Sequence, residues 1–88
     1  MDIGYYDFNE HIGSVAWIYQ LPSGLVHEKI DMRYHLVNIT KQENGYQIYI
    51  GPKNSDTGGE AINIMLDKDY RLTDYVIERI EPMPENEQ

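Results

Sequence analysis

The chain has 88 residues, 41% of them hydrophobic and 25% charged, with no cysteine and a formal net charge of −8. That length holds one domain and not two, and the lack of cysteine excludes disulfides, thiolate metal sites and cysteine nucleophiles. Fifteen acidic residues against seven basic ones argue against direct nucleic-acid binding, which relies on basic groups to displace counterions from phosphates.

Eleven isoleucines, eight tyrosines and four valines stand against two alanines and five leucines. Branched and aromatic side chains suit a pleated, half-buried surface, whereas Ala and Leu are the better helix formers. The expected fold is therefore mainly β: a single antiparallel meander of four to six strands, as an open sheet or small barrel. The alternative is α+β, with an N-terminal helix over about 7–19 packed on a four-stranded antiparallel sheet. Residues 1–80 form the expected domain, and 81–88, with two prolines and three glutamates, read as a disordered acidic tail.

In chain order, the first residues carry no basic cluster and no apolar run, so they do not read as a signal peptide. No stretch reaches the roughly 18 apolar residues of a membrane span, and a cytoplasmic location is the expectation. Phe8, Ile12, Val15, Ala16 and Tyr19 share a helical face, and Asp7 with Glu10 resembles a capping box. Gly13–Ser14 interrupts that face, and Val15 to Leu21 reads as a buried strand, so a strand over Ser14 to Leu21 is favoured over a helix from Asp7 to Tyr19. Pro22–Ser23–Gly24 then marks a turn.

Val26 to Leu36 alternates most clearly. Val26, Ile30, Met32, Tyr34 and Leu36 share one face, broken by Glu28, while His27, Lys29, Asp31, Arg33 and His35 hold the other. The phase slips at Leu36–Val37, which suggests a β-bulge. Asn44–Gly45 is a hairpin signal for a type I′ turn, leading into Tyr46 to Ile50 with Tyr46, Ile48 and Ile50 facing the core. After the polar stretch Gly51 to Gly59, Ile62, Ile64 and Leu66 alternate again. Asp67–Lys68–Asp69 marks the next turn, and Arg71 to Ile80 reads as the return strand, although Leu72, Val76 and Ile80 also recur at helical spacing.

Enzyme signatures are missing: no Walker sequence, no glycine-rich dinucleotide turn, no His-Glu-x-x-His and no nucleophile elbow. No catalytic residue, cofactor or metal site is expected. His27 and His35 on one extended strand would stand roughly 27 Å apart, at about 3.3 Å per residue. Asp67–Lys68–Asp69 opens like a calcium loop, but Arg71 and Leu72 fall where that loop needs an oxygen ligand and a glycine.

Charge is unevenly placed. Residues 1–26 hold three acids and no base, 27–53 hold three acids and four bases, and 54–88 hold nine acids and three bases. Together with the tyrosines, which favour interfaces, this pattern points to a small acidic, non-enzymatic protein-binding module. Its more specific form is an inhibitor of immunity or anti-defence type that occupies the basic surface of a nucleic-acid-handling enzyme. The expected contact residues are Tyr49, Lys53, Asp56, Glu60, Asp67, Asp69, Tyr70 and Asp74; on a strand, Asp67 and Asp69 would stand about 6.5–7 Å apart. The alternatives are a structural or homo-oligomeric subunit, such as a homodimer through a strand edge, and a small-molecule-binding β domain.

Overall fold

The computed structural model describes residues 4–22, 25–53 and 58–81. Four strands form an antiparallel meander in the order β3–β4–β5–β6: β3 (His35–Gln42), β4 (Gly45–Pro52), β5 (Gly59–Asp67) and β6 (Leu72–Ile80). The sheet is open, with β3 and β6 as its edges. The fold is thus the expected β meander in its open form.

The register explains why alternation predicted these strands. Val37, Ile50, Ile62 and Ile77 form one cross-strand row, and Ile39, Ile48, Ile64 and Tyr75 the next. All lie on one face, where a period of two puts every second residue. Ile48 and Ile64 are fully buried, a burial that contributes about 1.5–3 kcal/mol for each side chain. The segment expected over Arg71 to Ile80 forms strand from Leu72, rather than helix, because Tyr75 and Ile77 then join this face. The ladder holds a register shift between Met65 and Leu66, so one β6 residue is unmatched there.

An N-terminal layer covers the inner face. It comprises β1 (Tyr5–Asp7), α1 (Phe8–Ile12), a 3-10 helix (Ala16–Gln20) and β2 (Lys29–Asp31), with β1 and β2 paired as a separate ribbon. Phe8, Ile12, Val15, Trp17, Ile18, Leu21, Val26 and Ile30 are buried against Ile48, Ile50, Ile62, Ile64 and Leu66. Asp7 caps α1, its Oδ1 accepting from the Asn9 N–H at 3.1 Å and the Glu10 N–H at 3.4 Å. Gly13, at φ 99°, ends that helix after five residues. Neither the strand over Ser14 to Leu21 nor the helix over 7–19 forms. Trp17 and Ile18 fall on successive residues of a tighter helix, which buries both.

The single strand from Val26 to Leu36 is also not formed. β2 ends at Asp31, and residues 32–34 turn before β3 begins. Asp31 makes the turn: its Oδ1 accepts the Arg33 N–H at 3.0 Å, its carbonyl accepts the Tyr34 N–H at 3.1 Å, and both carboxylate oxygens bind the Arg33 guanidinium at 3.0 and 2.8 Å. A short acidic side chain that satisfies the backbone locally competes with the sheet ladder. That turn, and not a bulge, changes the phase, since the β3–β4 register runs unbroken from His35 to Gln42. The extended spacing of His27 and His35 therefore does not hold.

The hairpin after β3 turns one residue earlier than Asn44–Gly45 implies. Gln42 pairs with Gly45, so Glu43 and Asn44 are the loop residues. Gly45 already belongs to β4, where the Leu66 carbonyl sits against the position a Cβ would take.

Candidate interaction surface

The expected contact residues fall on three parts of the sheet. Asp67, Asp69 and Tyr70 share the turn between β5 and β6. Lys53 and Glu60 lie at the opposite end, and Tyr49 and Asp74 lie on the outer face. Glu60 and Asp67 are seven residues apart on one strand, about 23 Å at 3.3 Å per residue. Asp56 lies outside the described residues.

Several of these side chains already serve the fold. The Asp67 Oδ1 accepts the Asp69 N–H at 2.8 Å and the Arg71 N–H at 2.9 Å, closing the turn. Asp67 and Asp69 therefore do not stand as alternate carboxylates on a strand. Tyr70 holds a positive φ of 65°, a conformation costing roughly 1–2 kcal/mol for a side-chain-bearing residue. Its ring stacks on Tyr46, centroids 5.2 Å apart, and packs against the core. Hydrogen bonding to the Tyr46 hydroxyl pushes the Tyr70 hydroxyl up from its ordinary pKa. Lys53 braces the turn at 32–34, its N–H donating to the Tyr34 carbonyl at 2.9 Å and its Nζ to the Met32 carbonyl at 3.3 Å.

The outer face carries a different chemistry. Asn38, Tyr49, Asn63 and Val76 form one row and Thr40, Gln47, Met65 and Asp74 another. An amide relay crosses it, Gln42 donating to Gln47 at 2.9 Å and Gln47 to Asn63 at 3.5 Å. Tyr49 points away from the core, as its phase implies, and its ring lies across Gly51, where a Cβ would sit 2.8 Å from Cζ. Leu36 and Val76 stay 49% and 54% exposed on this face, so it is not closed into a second core.

The β6 edge of the sheet exposes an apolar group on each face. Val76 and Ile77 are both exposed, and Asp74, Glu78 and Arg79 surround them. Arg79 lies 3.6 Å from Glu81, whereas neither Asp74 nor Glu78 has an ion-pair partner among the described residues. Reading the sequence alone picked out Asp74 but missed Val76, Ile77 and Glu78. The signal was chain order, because the last strand of a meander has one neighbour only.

A cleft of about 260 Å³ opens between Leu25, Val26 and Ile30 of the N-terminal layer and Ile50, Ile62 and Ile77 of the sheet. That is below the roughly 300 Å³ at which small-molecule pockets begin. His35 and Glu60 line both this cleft and a shallow groove of about 490 Å³ that Arg33 and Lys53 also border. The Arg33 guanidinium holds the Asp31 carboxyl below its ordinary range, and Asp31 in turn raises Arg33; this pair is a brace rather than a free anion receptor. Among the described residues, no three His, Asp or Glu side chains cluster as a metal site, and no helix is long and apolar enough to cross a membrane. Comparison with known protein families, with curated proteins and with solved structures found no match.

Proposed function

We propose that this protein is a small, acidic, non-enzymatic protein-binding module whose partner presents a basic surface. The open sheet carries this reading: its outer face and β6 edge combine exposed apolar groups with carboxylates, Asp74 and Glu78, that form no ion pair among the described residues. Exposed apolar surface rimmed by polar groups marks interaction sites, and unpaired carboxylates favour a basic partner by complementarity. In its specific form the module is an inhibitor that occupies the basic surface of a nucleic-acid-handling enzyme, its carboxylates standing where phosphates would bind. It acts in the cytoplasm on this reading, where a chain without cysteine loses nothing to reducing conditions.

The test is affinity capture from cells of its source with the intact chain and with an Asp69→Asn, Asp74→Asn, Glu78→Gln variant, which leaves the turn-closing Asp67 in place. The reading predicts a basic protein that is captured in low salt and lost in high salt or by the variant. Capture indifferent to both changes, or none at all, would overturn it.

A further inference from the structure

We propose that β6 is the recognition element, and that it takes an extended strand of the partner carrying two basic residues four positions apart. This rests on the protein-binding reading above and adds the place and the mode.

The backbone defines which groups are open. Tyr75 donates its N–H to the Asp74 Oδ1 at 2.8 Å, so this amide points away from β5. Strand alternation sends the N–H and C=O of Ile77 and Arg79 the same way. Asp74 thus covers the edge at Tyr75, and among the described residues nothing covers the stretch from Val76 to Ile80, which is able to pair. Edge strands without such protection are templates for strand addition.

Side chains then select the occupant. Asp74, Val76 and Glu78 share the outer face of β6, since they pair with Met65, Asn63 and Ala61 of β5. The complement on an added strand is basic, apolar, basic at alternate positions, each directly opposite its partner. A second copy of this chain fits poorly. A two-fold axis normal to the sheet pairs residues of the same face, and centring it on Val76 sets Asp74 opposite Glu78 of the other copy, twice. The β3 edge, His35–Gln42, holds Lys41 and no acid, so a basic strand is directed to β6.

The probe is a synthetic peptide, Thr-Lys-Thr-Val-Thr-Lys-Thr with blocked ends, which pairs antiparallel with β6 and sets its valine opposite Val76. Calorimetry should show that it binds the full chain, and that the analogue with Glu in place of Lys does not. Asp74→Asn with Glu78→Gln should weaken binding about 2- to 30-fold, the effect of two cross-strand ion pairs. N-methylation of the central valine, whose amide would face away from β6, should be tolerated. N-methylation of the threonine opposite Ile77 should abolish binding. No binding by the lysine peptide, or equal binding by both methylated forms, would overturn the edge assignment. If the capture experiment still yields a basic partner in that case, the protein-binding reading stands and only the place is wrong. If capture fails as well, both fall.

Discussion

Replacing Asp74 with Asn and Glu78 with Gln should make the chain pair with itself more readily. β6 runs for nine residues, Leu72–Ile80, with Val76 and Ile77 exposed, and an edge of that kind invites a second copy. In the register centred on Val76, each of two Asp74–Glu78 oppositions brings like charges to Cβ distances of about 4.5–5.5 Å. Centring on Ile77 moves them to diagonal positions, about 7–8 Å apart, where repulsion persists. At roughly 0.2–1 kcal/mol for each direct opposition, removing both favours the dimer by about 0.4–2 kcal/mol. The dimerisation constant should rise about 2- to 30-fold. Sedimentation equilibrium on both chains at low and high salt measures it. The difference should be largest at low salt, since screening already weakens the repulsion in the parent chain. An unchanged or smaller constant in the variant would refute the claim that these carboxylates guard the edge.

Two further outcomes follow from the fold. Gly45→Ala should cost about 1–3 kcal/mol or more in urea unfolding, because the added Cβ meets the backbone of Leu66 and Asp67 rather than a movable side chain; an unaffected midpoint would mean that β4 and β5 do not approach as described. Stability should also fall at both extremes of pH. The folded carboxyl of Asp31 is lowered, so its contribution is present above its unfolded pKa, near 4, and is lost as pH falls through the folded value. Tyr6, raised by burial, and Tyr70, raised by Tyr46, contribute below about pH 10 and lose that contribution as pH rises through their folded values. Asp31→Asn should flatten the acid limb of a thermal-melting profile and leave the alkaline limb in place.

The sheet was legible where one face alone is buried. Ile48 and Ile50, Ile62, Ile64 and Leu66, and Tyr75 and Ile77 alternate because strand geometry offers the core every second residue. Val26 to Leu36 alternates as well, yet it bends, because Asp31 and Arg33 bond locally and a period-two pattern carries no trace of that competition. The N-terminal layer was obscure for a related reason. Trp17 and Ile18 are both buried within a five-residue 3-10 helix, too short to show a period of its own. Of the candidate surface, acidity and Asp74 were visible in composition. Asp67 and Tyr70 looked available because nothing in the sequence reveals an Asx turn or the stack on Tyr46. Val76, Ile77 and Glu78 became significant only through position, at the border of a sheet with no neighbouring strand beyond it among the described residues.

Backbone amide shifts of the isotopically labelled chain, followed during titration with the lysine peptide, test the central claim most directly. Added strand pairing predicts the largest changes at Ile77 and Arg79, whose amides point outwards, with smaller ones at Val76 and Glu78 and at Tyr75, whose amide is already held by Asp74. Changes centred instead on β3, or on the turn from Asp67 to Arg71, would contradict recognition at β6.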